Sequence, residues 1–222
     1  MSQHGEARSR DVGRPVNGSG SAARCGPRGA DRTVAGVSLP AQPSESVPHR
    51  EGHAGEVSEE EFRGALARLA AGVVLVTAHD DEEGPHGAPA GMTATAFMSV
   101  SLDPPLVLVS VRTGSRMDEL LERQPLWAAS LLPEEHRVIA GRFAMKGRLS
   151  DRLLFQEVPH IRGAATGAPL LKGALATVEC RTERRVAAGD HTLVIARVLS
   201  AALPAVPGGP LLYYRGGYRH LA

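Results

Sequence analysis

The sequence predicts a mainly β protein, an antiparallel barrel or sandwich carrying a few short helices. Strand-length runs rich in Val, Ile, Leu and Thr recur across residues 73–214, mostly separated by turn-length stretches of Gly, Pro, Asp and Ser. Helical spacing appears only in short stretches between them. Regular strand–helix alternation is missing, as is any GxGxxG after a strand or any GxxxxGK. A Rossmann or P-loop nucleotide site is therefore excluded.

The first 57 residues contain none of the eight aromatic side chains and are rich in Gly, Ser, Pro and Arg. Such a segment buries too little apolar surface to offset its ordering entropy. It is expected to be a disordered extension, 1–57, ahead of one folded domain, 58–222. Ser58 and Glu61 have capping-box spacing, and Phe62, Leu66 and Leu69 follow at helical intervals, predicting an amphipathic helix. Gly72 stops it, and VVLVTA at 73–78 is a β-branched strand. The next segment, AHDDEEGPHGAPAG, carries four consecutive acids and reads as a solvated hairpin loop. Residues 91–101 and 106–111 read as two strands around an Asp103-Pro104-Pro105 corner, because proline removes a ladder donor.

Ser115 and Asp118 repeat the capping-box spacing before Leu120 and Leu121, predicting a short helix to about Arg123. Residues 126–132 form a strand. Pro133 fits a helix start, and Val138, Ile139 and Phe143 give that helix an apolar side. After a Gly-rich stretch, residues 174–186 alternate: Ala176, Val178 and Cys180 on one face, Thr177, Glu179 and Arg181 on the other. Residues 191–199 are a strand entered from the Gly189-Asp190 turn, and 210–214 a last short one.

Composition narrows function. The net charge is +1 and the chain has only two lysines, Lys146 and Lys172, so an oligonucleotide-binding barrel is a poor fit. No apolar run approaches the roughly 20 residues needed to span a bilayer. Cys25 and Cys180 form no disulfide framework and no zinc motif. A cytoplasmic protein without membrane or nucleic-acid partners is expected.

The most informative stretch is GMTATAFMSVSLDPPLVLVSV at 91–111. In an extended chain, Thr93, Thr95, Ser99 and Ser101 share one face, and Met92, Ala94, Ala96, Met98 and Val100 the other. A face of small hydroxyl residues suits a flat polar ligand with a phosphate tail. Taken singly, such a strand reflects the β propensity of Thr, and Ser115 is an ordinary N-cap. The order of several such segments carries more.

In that order, FRGALARLAAGVVLVTA, the 91–111 stretch, SRMDELL, GRFA, GALATVEC, GDHTLVIARV and LLYYRGGY make residues 61–221 resemble the short-chain flavin reductase family. Those proteins are FMN-binding split β-barrels, typified by the reductase components of two-component flavin monooxygenases. The resemblance implies FMN or FAD held along Met92, Thr93, Ala94, Thr95, Ala96 and Ser99. The adjoining strand would contribute Ser110, Val111 and Arg112. Ser115 and Arg116 open a helix whose positive end suits a phosphate. Arg142 and Phe143 of GRFA match another flavin-contacting pair. His191 would sit near the nicotinamide of NADH or NADPH, with Tyr213, Tyr214, Arg215 and Gly216 on the same side. Hydride would pass directly between the cofactors, so the protein's task is positioning. The family also implies a homodimer and a separate oxygenase receiving reduced flavin. Ser130 stands where the family often has Asn. Alternatives on the same barrel are a reductase holding FMN tightly for another acceptor, and a non-catalytic flavin-binding protein.

Overall fold

The computed structural model describes residues 57–83, 87–145, 147 and 150–221. The expected extension, apart from Val57, and with it Cys25, lies outside the described residues, as does His86. Among the described residues no helix is long and apolar enough to cross a membrane.

The chain opens with α1 (Glu59–Leu66), whose Ser58 side chain accepts from Glu61 N–H while the Glu61 carboxylate accepts from Ser58 N–H. This is the capping box the spacing predicts. Its apolar residues are not buried by the chain itself: Phe62 is 59% and Leu66 47% exposed. After β1 (Ala71–Gly72) come β2 (Val74–Asp80), β3 (Ala88–Ala94), β4 (Phe97–Leu102) and β5 (Pro105–Arg112). Then follow α2 (Arg116–Arg123), β6 (Leu126–Leu131), a 3-10 turn at Glu134–His136, α3 (Arg137–Ala144) and α4 (Asp151–Glu157). The chain closes through β7 (His160–Arg162), β8 (Pro169–Leu171), β9 (Ala176–Ala188), β10 (His191–Ala202), β11 (Leu212–Tyr214) and β12 (Gly217–Arg219).

Seven strands form one antiparallel sheet in the order β3-β2-β6-β9-β10-β5-β4. Its two edges, β3 and β4, are consecutive in the chain and joined only by Thr95 and Ala96. The sheet therefore curls until its edges meet at that junction, and it splits where β3 and β4 diverge to pair with different neighbours. The single strand expected over 91–101 is two strands on opposite edges, because the Thr95-Ala96 step leaves the β2 ladder and joins the β5 ladder, where Ser110 N–H donates to Ala96 O at 3.0 Å. Its polar row consequently does not share one face.

The curl gives two large cores and a small third one of Ala128, Ala168 and Leu170. Val74, Val76 and Ala78 of β2, Val107, Val109 and Val111 of β5, and Val194 and Ala196 of β10 pack inside with Trp127 and Cys180, closed by Met117, Leu120 and Leu121 of α2. Outside, Val73 and Leu75 pack against Ala140 and Phe143 of α3 and Leu154 and Phe155 of α4. Strand β2 is thus buried on both faces, which is why it reads as a continuous apolar run. The 174–186 alternation is borne out for Val178 and Cys180, which face the barrel interior. Its other face is also covered: Glu179 is 5% exposed and accepts from Ala165 N–H, Thr166 N–H and the Thr166 hydroxyl at 2.8–2.9 Å. The β7–β8 hairpin and its loop, which no sequence pattern marked, provide that cover.

Candidate functional site

Two adjoining cavities lie along the outer face of β3, beneath α3 and beside the start of α2. The smaller, about 340 Å³, is lined at one end by Arg112, Ser115, Arg116 and Asp151, and at the other by Gly91, Thr93 and Phe143. The larger, about 550 Å³, is lined by Thr93, Thr95, Arg137, Gly141, Tyr213 and Gly216, among others. Both share Thr93, Ala144 and Met145. These sizes fall in the range of small-molecule sites.

The smaller cavity is built on the turn between β5 and α2. Gly114 takes φ +71°, a conformation glycine adopts without strain, and its N–H donates to Asp118 Oδ2 at 3.0 Å. Ser115 caps α2 by accepting from Asp118 N–H at 3.3 Å. With that donor used, the N–H groups of Arg116 and Met117 remain at the open end of the helix, and both residues line the cavity. Asp118 is itself buried and receives Arg185 Nη2 at 2.6 Å, which fixes the helix onto β9. Burial would raise the Asp118 pKa, but the Gly114 N–H, Arg185 and Thr192 outweigh it and hold the carboxyl below the usual carboxylate value. Arg116 reaches Asp151 at 3.2 Å; Asp151 is 2% exposed and begins α4. Two guanidiniums and a helix N-terminus at one end of a cavity suit a phosphate.

The wall shared by the two cavities is Thr93, whose hydroxyl donates to Ala140 O of α3 at 2.7 Å and ties helix to strand. Phe143, 2% exposed, lines the smaller cavity and packs on Phe155 at 5.0 Å between centroids. In the larger cavity, β11 and β12 form a tight hairpin turning through Arg215 and Gly216, both with positive φ. Tyr213 packs edge-on against Tyr218 at 5.5 Å, and Arg215 lies over the Tyr214 ring at 5.3 Å. The Arg215 N–H donates to Ala67 O at 2.8 Å, so the turn is fastened to the end of α1.

Of the residues expected from sequence, Met92, Thr93, Thr95, Arg112, Ser115, Arg116, Phe143, Tyr213 and Gly216 line these cavities. The others are elsewhere. Ala94 and Val111 belong to the barrel core. Ala96 is exposed at the strand junction, and Ser99 is exposed on the opposite sheet edge. Ser110 points outward opposite Leu193. Arg142 pairs with Glu157 at 2.6 Å, joining α3 to α4, while Arg137 takes the place at the cavity wall. Tyr214 and Arg215 lie on one another at the hairpin turn. His191 is half-exposed, its Nδ1 lies 2.8 Å from Asp190 Oδ1, and it lines neither cavity, although its strand partner is Arg112. Ser130, fully buried, accepts from Leu171 N–H at 3.1 Å and serves packing.

Sequence reasoning missed Arg137, Gly141 and Ala144, although their i, i+4, i+7 spacing puts them on one face of α3, beside the buried Ala140 and Phe143. It also missed Asp151, which carries no signal beyond following Ser150 at a helix start.

The comparisons agree with this geometry. Residues 66–222 match the model of the flavin reductase like domain. The chain is 39% identical over 168 residues to an NADH-dependent flavin reductase of a Rhodococcus species, covering 75% of this chain and 88% of that protein. It is 37% identical over 163 residues to the reductase component of 4-hydroxyphenylacetate 3-monooxygenase of Thermus thermophilus, covering 73% and 97%. Among solved structures, the flavin reductase component of a bacterial two-component tryptophan halogenase superposes with a TM-score of 0.68 at 36% identity, over 74% of this chain and 98% of that one. With its split barrel and its cavities beside the Thr-rich strand, this chain belongs to the flavin reductase like family.

Proposed function

We infer that this protein is an NAD(P)H:flavin oxidoreductase that reduces FMN or FAD by direct hydride transfer and supplies the reduced flavin to a separate oxygenase. The observation that carries the reading is the cavity pair along β3. One end offers Arg112, Arg116 and the open end of α2 to a phosphate, and the other a hydroxyl- and glycine-lined wall to a flat ring. Bound flavin supplies the hydride acceptor and the nicotinamide the donor; the chain supplies position. Ser115 and the two arginines hold the phosphate. Thr93 and Thr95 present hydroxyls along the ligand, and Tyr213 and Gly216 border the outer side of the ring. His191, beside Arg112, is assigned a contact with the dinucleotide and no proton transfer.

A homodimer fits the outer face of the sheet. Met98 pairs across from Leu108, Leu108 from Ile195, and Leu193 from Val186, forming an apolar stripe over four strands that ends on the β4 edge. Light scattering giving twice the chain mass supports it; a monomer removes it. A reaction that draws on NADH or NADPH supports a cytoplasmic location.

The functional test is oxidation of NADH and of NADPH with FMN and with FAD. Flavin-dependent turnover in at least one pairing is expected, and none in any pairing refutes the reading. A colourless protein after gel filtration is the expected sign of a diffusible flavin.

A further inference from the structure

The acidic run that begins with the last residue of β2 does not stand free in solvent but lies against α2. Asp80, 5% exposed, accepts from Arg123 Nη2 at 2.7 Å, and Glu82 lies 3.1 Å from Arg123 Nε. Asp81 accepts from Gln124 Nε2 at 3.1 Å. These contacts fall at the C-terminal end of the helix. Glu83 reaches the other end and pairs with Arg116 Nη2. The same guanidinium is held through Nη1 by Asp151 at 3.2 Å. One cation at the phosphate end of the cavity is thus shared by two carboxylates of unequal freedom. Asp151 is buried at 2% exposure, whereas the Glu83 side chain is 39% exposed.

We propose that Glu83 sets the affinity of the site for the flavin phosphate by competing with it for Arg116. This rests on the cavity being the flavin site. Asp151 is locked in place and orients the guanidinium. Glu83, half in water, can leave Nη2 at little cost, because an exposed ion pair is weak. Arg116 is the shared partner of Asp151 and Glu83, so a phosphate arriving at this guanidinium has to displace Glu83 or share the cation with it. A reductase whose product must leave for another protein needs such moderate holding. Glu83 is therefore an affinity-setting residue that acts through Arg116.

The test compares the full-length protein with Glu83→Gln and Glu82→Gln at near-physiological salt, measuring Kd for FMN and for riboflavin by flavin fluorescence quenching. Riboflavin lacks the phosphate, and Glu82→Gln removes the same charge from the same loop away from Arg116. Glu83→Gln is expected to tighten FMN roughly three- to fivefold, the scale of one partly exposed ion pair, and to leave riboflavin unchanged. Glu82→Gln should move neither. An unchanged FMN Kd in Glu83→Gln, an equal gain for riboflavin, or an equal gain in Glu82→Gln overturns the proposal while wild-type FMN binding leaves the flavin site standing. Absence of FMN binding by the wild type would instead refute the flavin site, and this inference with it.

Discussion

Gly91→Ala tests how closely the site is built on its second core. Gly91 lies on β3 opposite Thr77, and an added Cβ would stand 3.0 Å from Phe143 Cε1 and 3.1 Å from Phe155 Cζ. Ordinary carbon contacts begin near 3.5 Å. Neither ring can easily retreat: they are 2% and 4% exposed and tilted on one another, and Phe155 also abuts His160 at 5.2 Å. Overpacking of this kind costs about 1–3 kcal/mol. Replacing a strand glycine returns about 0.5–1 kcal/mol through the unfolded chain. The net expectation is a loss of about 1–2 kcal/mol, read as a lower urea midpoint at unchanged slope. Phe143→Leu should relieve the clash, so the double variant is expected to be more stable than the sum of the single effects by about 1 kcal/mol. Because both residues line the smaller cavity, the Kd for FMN should rise in Gly91→Ala and partly recover in the double variant. A Gly91→Ala protein as stable as wild type, or strictly additive effects, would refute this account of the cavity lining.

Arg142→Gln should leave FMN binding unchanged, since Arg142 pairs with Glu157, whereas Arg137→Gln should weaken it; titration of both variants separates them. Asp118→Asn should cost about 2–3 kcal/mol at neutral pH by weakening charge-assisted bonds from Gly114 and Arg185. The folded Asp118 pKa lies below its unfolded value, so its stabilisation is present above about pH 4 and is lost as pH falls through the folded pKa. Urea midpoints measured down the acid limb should accordingly fall less steeply in the variant. The Cys180 thiol, pushed up to about 12 by burial, with Glu179 adding to the rise, should resist thiol reagents until the protein is unfolded; rapid labelling of the native protein at this position would contradict its place in the core.

Much of this protein is local and therefore legible in its residues. The caps at Ser58 and Ser115 are hydrogen bonds within one helical turn; the full box forms at Ser58, while at Ser115 only the Ser side chain caps and Asp118 turns back to Gly114 N–H. The strands around 73–78, 106–111 and 191–199 follow from β-branched periodicity, and the motif order carried the family. Other features are products of closure. The residues 91–101 look like one strand because alternation cannot register that a chain changes ladders; only the meeting of two sheet edges breaks it at Thr95-Ala96. That break sends Thr93 to the cavity wall and Ser99 to the far edge. Rotation about α3 sends Arg137 to the cavity and Arg142 to Glu157, though both are arginines on one short helix. The acids at 80–83 read as solvated because charge patterning sees no partner fifty residues away or nearer, and the fold brings α2 against them. Residue spacing and motif order were enough for most of the long strands, for the two caps and for the family, because each rests on local periodicity or on order along the chain. The tertiary structure alone decided which polar side chains share a cavity, because that depends on how the sheet closes and which helix face meets it.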